Sequence, residues 1–171
     1  MGAIALALYF TPFFAYNGIK GGDSLQIYMD VCCLNCPFDD LTQAKVYLEA
    51  EAIMSIVSHC ERGMGTLVTS SVINYEISRT VDISRMEQVQ NLCTVALKYV
   101  IMTAEDERRA KHFQQNGIKP MDSFHLAVAE SNKADVFLTT DRKLLNAANR
   151  LGLKLKIANP VAWFMEVMDN E

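Results

Sequence analysis

Four acidic residues lie where a parallel sheet could bring them together: Asp30, Glu76, Asp122 and Asp141. Asp30 and Asp141 each close an apolar run that indicates a buried strand, and Asp122 opens the helix leading into the last of these strands. Glu76 follows another such run by about two helical turns. In open parallel sheets, ligands bind outside the carboxyl ends of strands, where the strand order reverses. Carboxylates that converge there repel one another unless a cation is bound, so the pattern predicts a divalent-metal site.

Such a site suits hydrolysis of a phosphodiester bond. One or two Mg²⁺ or Mn²⁺ ions prefer hard oxygen ligands, lower the pKa of water and stabilise the attacking and leaving oxygens. Each acid could instead be a helix cap or a surface charge, above all Asp141, which sits at a strand-to-helix turn. Thr139 and Thr140 could orient a carboxylate or a water through their hydroxyls. His125 lies one helical turn after Asp122 and could reach the site, although a lone helical histidine is more often structural.

Four segments around these acids carry a combined pattern: residues 27–30, 70–77, 121–129 and 137–141. In order and spacing they resemble the PIN-domain family of metal-dependent ribonucleases, which includes the toxins of many bacterial toxin-antitoxin pairs. The resemblance extends from about Leu25 to the C-terminus. It implies that Asp30 and Asp122 are inner ligands of Mg²⁺ or Mn²⁺. Glu76 and Asp141 would complete the site or hold waters.

The same resemblance implies an RNA substrate and, for a toxin, a small antitoxin that covers the acidic cleft, often with a homodimer. A catalytically weak PIN-like module that binds RNA or a protein is an open alternative. One position departs from the family. Many members carry Asn two residues after the first Asp, where this chain has Cys32, and the nearest amide is Asn35. Either Asn35 substitutes, or the surroundings of Asp30 differ.

The cysteines support a rival function. Cys33 and Cys36 form a C-x-x-C motif after a predicted strand, which is typical of a thioredoxin-like thiol oxidoreductase. Pro37 follows directly, the next residues favour a loop, and the acids would stay unexplained, so redox chemistry is the weaker hypothesis. No second C-x-x-C or nearby His pair supports zinc. Five unevenly spaced cysteines favour reduced thiols in a cytoplasmic protein over a disulfide framework.

Length and charge are those of an ordinary enzyme domain. The 171 residues suit one core, and 16 basic against 20 acidic residues give a net charge of -4. Binding to RNA therefore requires local clustering of basic side chains. The candidates are Arg79, Arg108, Arg109, Lys119, Arg142 and Lys143. Any of them could equally belong to a solvated helix face.

The first 24 residues differ from the rest. Residues 1–16 are strongly apolar but shorter than the ~20 residues that span a bilayer. No Lys or Arg precedes Lys20, unlike a signal peptide. We therefore expect an apolar extension and linker over residues 1–24, a PIN-like domain over residues 25–171 and no membrane association. The extension could be an upstream segment, a mistaken start or an added helix that packs on the domain.

Helical and strand patterns alternate over the rest of the chain. A helix is predicted from a capping-box-like start at Asp40 to Gly63, and others start at Ser84, Thr103 and Pro120. Strands separated by helices favour right-handed crossovers and a parallel sheet covered on both faces. The predicted fold is therefore a three-layer α/β/α sandwich with a central parallel sheet of 4-5 strands.

Overall fold

The computed structural model describes residues 24–169, with side chains to residue 167. In chain order the elements are β1 (Gln26–Met29), α1 (Val31–Asn35), a 3₁₀ turn (Cys36–Phe38), α2 (Ala44–Glu61), β2 (Thr66–Ser70), α3 (Ser71–Ser78), α4 (Ile83–Cys93), β3 (Lys98–Val100), α5 (Ala104–Gln115), α6 (Pro120–Ser131), β4 (Val136–Leu138), α7 (Arg142–Asn149), β5 (Lys156–Ala158) and α8 (Pro160–Asp169). The predicted extension over residues 1–24 lies outside this range except for Ser24.

The five strands form one all-parallel sheet in the order β3-β2-β1-β4-β5. Central strands of such a sheet are covered on both faces, which agrees with the complete burial of β4 and of most of β1. The chain steps outward from β1 to β2 and β3, then crosses back over β1 to β4 and continues to β5. The strand order therefore reverses between β1 and β4. This arrangement confirms the predicted three-layer α/β/α fold.

Helices cover the sheet in packed pairs, with α2 against α8 and α5 against α6. At the centre of the core, the rings of Tyr28 from β1 and Phe137 from β4 stack with centroids 5.6 Å apart. Both rings are fully buried. The stack therefore helps to hold together the two strands between which the order reverses.

Two predicted helix starts are wrong. Asp40 does not cap α2: its Oδ1 accepts bonds from the Thr42 backbone N–H at 3.1 Å and hydroxyl at 2.7 Å, so a turn precedes the helix. Helix α4 is capped by Asp82, which accepts from the Arg85 N–H at 3.1 Å, and not by Ser84. Asp40 instead bonds locally within the turn, and at α4 a nearby acid takes the backbone donor that Ser84 was expected to bind.

Other predicted boundaries are confirmed or shift slightly. Thr103 and Asp106 form a reciprocal capping box at the start of α5, and Pro120 occupies the first turn of α6. Strand β3 ends at Val100, and just beyond it the Met102 N–H donates to Ser71 Oγ at 2.9 Å. No helix within residues 24–169 is long and apolar enough to cross a bilayer.

Candidate metal centre

The candidate site lies at the carboxyl ends of β1 and β4. Met29 is in register with Leu138, and the N–H of Asp30 donates to the Leu138 carbonyl at 3.1 Å. The chain leaves β1 at Asp30 and leaves β4 toward Asp141, so both acids emerge at one edge of the sheet. This is the reversal point at which open α/β sheets bind ligands.

Asp30 is a buried carboxyl with only 5 % of its surface exposed. It caps α1, because its Oδ1 accepts from the Cys33 N–H at 3.0 Å, and the Cys32 thiol donates to the same oxygen at 2.7 Å. Burial, followed by the adjacent Cys32 sulfur, raises the pKa of Asp30 well above its usual range. Asp30, a predicted metal ligand, is therefore also a helix cap. Ionisation of its buried carboxyl is unfavourable without a cation.

Asp122 occupies the first turn of α6 and is half-buried. Burial raises its pKa, and the negative charges of Asp141 and Glu76 raise it further, whereas Lys119 and His125 lower it. These two carboxylates are therefore close enough to influence the ionisation of Asp122. The structure thus couples three of the four predicted acids electrostatically.

Asp141 caps α7. Its Oδ1 accepts from the N–H groups of Lys143 at 2.7 Å and Leu144 at 3.2 Å, and its Oδ2 lies 3.4 Å from Lys119 Nζ. Burial alone would raise the pKa of Asp141, but the two backbone amides and Lys119 together lower it. Asp141 is therefore a helix cap, as the sequence allowed, and its charge also acts on Asp122.

Glu76 is held by His125, which is buried and lies one turn after Asp122. The Nε2 of His125 is 2.7 Å from Glu76 Oε2, and its Nδ1 is 2.8 Å from the Tyr28 hydroxyl. Because the Glu76 carboxylate can only accept, Nε2 carries a proton, and in the neutral imidazole Nδ1 then accepts from the Tyr28 hydroxyl. Burial raises the pKa of Tyr28 far above its usual value, so this hydroxyl keeps its proton. The Nε2–H of His125 thus donates to Glu76. His125 therefore reaches the candidate site, as the sequence had allowed.

The chain of bonds behind Glu76 continues into the sheet. The Tyr28 hydroxyl lies 2.8 Å from Ser70 Oγ, which accepts the Ile73 N–H at 3.1 Å and so caps α3, the helix that carries Glu76. The support that Tyr28 gives to His125 was not predicted from the sequence. Its only signal was a polar ring inside an otherwise apolar strand. These contacts fix where Glu76 stands relative to β1.

Cys32 lies between the ends of β1 and β4. Besides its contact with Asp30, its Sγ accepts from the Thr140 hydroxyl at 3.0 Å and N–H at 3.3 Å, and lies 3.4 Å from Thr139 Oγ1. Hydrogen bonds with Cys33 first, and with Asp30 and both threonines, outweigh burial and lower the pKa of Cys32 to about 5. Asn35 does not replace the expected amide, because its Nδ2 donates back to the Val31 carbonyl at 3.0 Å. The surroundings of Asp30 therefore differ from the common family pattern.

The potential ligands do not all converge on one point. Among the described residues, one group of at least three potential metal ligands is compact, and it consists of Asp30, Cys32 and Cys33. Their donor atoms all lie within 4.8 Å of one another. The other three predicted acids form a second group, in which Glu76 and Asp141 influence the ionisation of Asp122. The Asp30 carboxyl is buried, and the Asp122 carboxyl has negatively charged neighbours, so both are costly to ionise. A bound divalent cation would offset that cost. The donor set therefore fits such an ion.

The C-x-x-C motif lacks the features of a redox centre. Cys33 and Cys36 are 0 % and 3 % exposed. Burial raises the pKa of Cys33 well above its usual value and that of Cys36 to about 11, the opposite of what a reactive thiol needs. The Cys36 thiol donates to the Val46 carbonyl. The pair is therefore packing, which weakens the oxidoreductase hypothesis.

The six candidate cations fall into three groups. Arg109 forms two bonds to Glu130, at 2.7 and 3.0 Å, and Arg108 pairs with Glu105, so both already have acidic partners. Arg79 is exposed and contacts Tyr75. The other three are exposed and flank Asp141 in space or in sequence: Lys119, Arg142 and Lys143. These three are the candidate cations next to Asp141.

Comparison with known proteins agrees with this architecture. The family profile described as "PIN domain" matches residues 38–150, more than half of the chain. A crystal structure of VapBC2 from Rickettsia felis, bound to a DNA fragment from their promoter, is similar with a TM-score of 0.50 and 13% sequence identity. That likeness covers 78% of this chain and 98% of the other, and it concerns the fold alone. No curated protein matches the sequence.

Proposed function

This chain belongs to the PIN-domain family, and we propose on that basis that it is a divalent-metal-dependent endoribonuclease. The observation that carries the proposal is the environment of Asp122. Its pKa is raised by burial and by two further carboxylates, at the edge of the sheet where Asp30 also emerges. Family membership supports the reaction class, and this cluster supports the proposed location of the site.

In the proposed site, Asp30 and Asp122 hold the metal, Mg²⁺ or Mn²⁺ in the first instance. The bound ion supplies a Lewis acid that activates water and stabilises the charge that develops as an RNA phosphodiester bond breaks. Glu76, oriented by His125, and Asp141, fixed by the start of α7, complete the acidic rim. Preorganised side chains of this kind reduce the reorganisation needed at the transition state.

The RNA backbone would approach from the side of Lys119, Arg142 and Lys143. Among the described residues, Arg142 and Lys143 form no ion pair, and the contact between Lys119 and Asp141 is long and exposed. Their charges would attract phosphates to an edge that is otherwise acidic. This local cluster is how a chain with a net charge of -4 can bind RNA.

Partners follow from the same family resemblance. We propose that the protein is the toxin of a toxin-antitoxin pair, with a small antitoxin whose segment covers the acidic edge, and that it works in the cytoplasm, with a homodimer as the common arrangement. The support is the family match together with a fold similar to that of VapBC2. Co-purification of the toxin with the product of a neighbouring reading frame tests this part.

The nuclease proposal is tested by cleavage of a mixed single-stranded RNA pool with Mn²⁺, with Mg²⁺ and with chelator. Parent protein should cleave only with metal, and Asp30→Asn and Asp122→Asn should each abolish cleavage while remaining folded, because Asn keeps the shape but not the charge. Glu51→Gln is the matched control, since Glu51 is an exposed acid on α2 away from the site. Retained activity in either Asn variant refutes that residue's role. A parent that binds RNA but never cleaves it is the catalytically weak module instead.

A further inference from the structure

The sulfur of Cys32 contacts Asp30, Thr139 and Thr140 at the carboxyl edge of the sheet. Its sulfur touches Asp30 Oδ1 at 2.7 Å and receives two bonds from Thr140. The side chain is only partly buried, so an ion from solvent can reach it. Hard ions such as Mg²⁺ prefer oxygen ligands, so a sulfur atom beside the buried Asp30 carboxyl is an unusual donor for such a site.

We propose that Cys32 is a sulfur ligand of the metal centre and gives that centre a preference for thiophilic divalent ions, such as Zn²⁺, Co²⁺ or Cd²⁺, over Mg²⁺. The proposal rests on the metal-binding part of the proposed function. Thiolates select softer ions, whereas Mg²⁺ takes oxygen ligands and keeps its waters. An ion bound to both Asp30 and Cys32 replaces the proton that the two groups share, and that proton leaves to solvent.

The surrounding contacts suit a metal-bound thiolate. The Thr140 hydroxyl and N–H both point at the sulfur from the end of β4, and donors of this kind orient and stabilise a charged ligand. Cys33 belongs to the same compact group, but its side chain is fully buried and its N–H is bonded to Asp30. Cys32 is therefore the sulfur that an entering ion meets.

The first experiment is a Co²⁺ titration of the full chain, followed by absorption in the near ultraviolet, where thiolate-to-cobalt charge transfer appears. Parent protein should show the band, and Cys32→Ser should lose it. Cys93→Ser is the matched control, because Cys93 is equally a partly buried free thiol but lies on α4, and it should keep the band. In competition, Cys32→Asn should shift the preference toward Mg²⁺ by about tenfold or more.

A second measurement needs no variant. Alkylation of the parent protein, mapped by mass spectrometry, should modify Cys32 and Cys93, the two partly buried thiols. Cd²⁺ should protect Cys32 and leave the rate at Cys93 unchanged. Asp30→Asn should remove that protection, because the ion then loses the carboxylate it shares with the sulfur.

The possible outcomes distinguish failure of this proposal from failure of the proposed nuclease function. Suppose that Co²⁺ binding needs Asp30 but gives no charge-transfer band, and that Cd²⁺ does not protect Cys32. That result refutes Cys32 as a ligand but does not contradict the proposed nuclease site. A band that persists in Asp30→Asn shows that the thiol binds metal elsewhere, which also overturns the proposal. A parent that binds no Co²⁺, Cd²⁺ or Mn²⁺ refutes both.

Discussion

Replacement of Asp122 by Asn should separate metal-induced stability from the stability of the fold. In the metal-free protein, burial and the charges of Glu76 and Asp141 disfavour the ionised form of Asp122, so removing its charge should leave the melting temperature equal or higher. An ion that binds only the folded state adds RT ln(1 + [L]/Kd), about 2.7 kcal/mol at 100 times its dissociation constant. For a domain of this size that is a rise of roughly 5–10 °C.

The assay is thermal melting by circular dichroism, with chelator and with Mn²⁺, at neutral pH. The parent protein and the control Glu51→Gln should show the full metal-induced rise, and Asp122→Asn should show less than half of it. Equal shifts in all three proteins would refute the reasoning, because Asp122 would then contribute nothing to the binding of the ion. A metal-free Asp122→Asn that melts well below the parent would show that the carboxylate stabilises the fold instead.

Three further results are expected. The raised pKa values of Asp30 and Asp122 mean that the folded, metal-free protein holds protons that the unfolded chain releases. Their contribution to stability is therefore complete below the usual aspartate pKa of 3.8 and declines as pH rises through the folded pKa values. Urea titrations with chelator across that window should show the decline, and a rise instead would contradict these assignments. Tyr28→Phe leaves Nδ1 of the buried imidazole without its donor, which should cost about 1–3 kcal/mol in chemical denaturation and lower RNA cleavage without abolishing it. Cys33→Ser combined with Cys36→Ser should reduce stability but leave cleavage per folded molecule nearly unchanged, and loss of cleavage in a folded double variant would revive the thiol hypothesis.

The fold was predictable because its signals are local. Short apolar runs bounded by helices indicate a parallel sheet, and acids directly after such runs indicate where its carboxyl edge lies. Helix starts were less certain where several polar residues compete for the same backbone donors, as at Asp40 and Ser84. Which donor wins depends on the exact turn of the backbone, which the spacing of residues does not specify.

The site was only partly predictable for a different reason. The sequence predicts one edge of the sheet for the four acids Asp30, Glu76, Asp122 and Asp141, because they follow strands or begin helices. The distances between their side chains, however, depend on the packing of the long connections between strands. The bond between His125 and Tyr28 joins residues far apart in sequence, on a helix and a strand. The spacing from Asp122 predicts that His125 can reach the site, but only the packed sheet shows what it contacts.

The position of β1 in the middle of the sheet also affects when the site can exist during synthesis. The contacts around Cys32 join it to Thr139 and Thr140, more than a hundred residues later in the chain. Such distant pairs form late, because the intervening chain must be made and ordered before they can meet. A ribosome-bound chain that lacks β4 would carry Asp30 without the strand end opposite it. The nuclease activity proposed here would therefore emerge only near the completion of translation, which would leave time for a co-expressed partner to meet the finished domain.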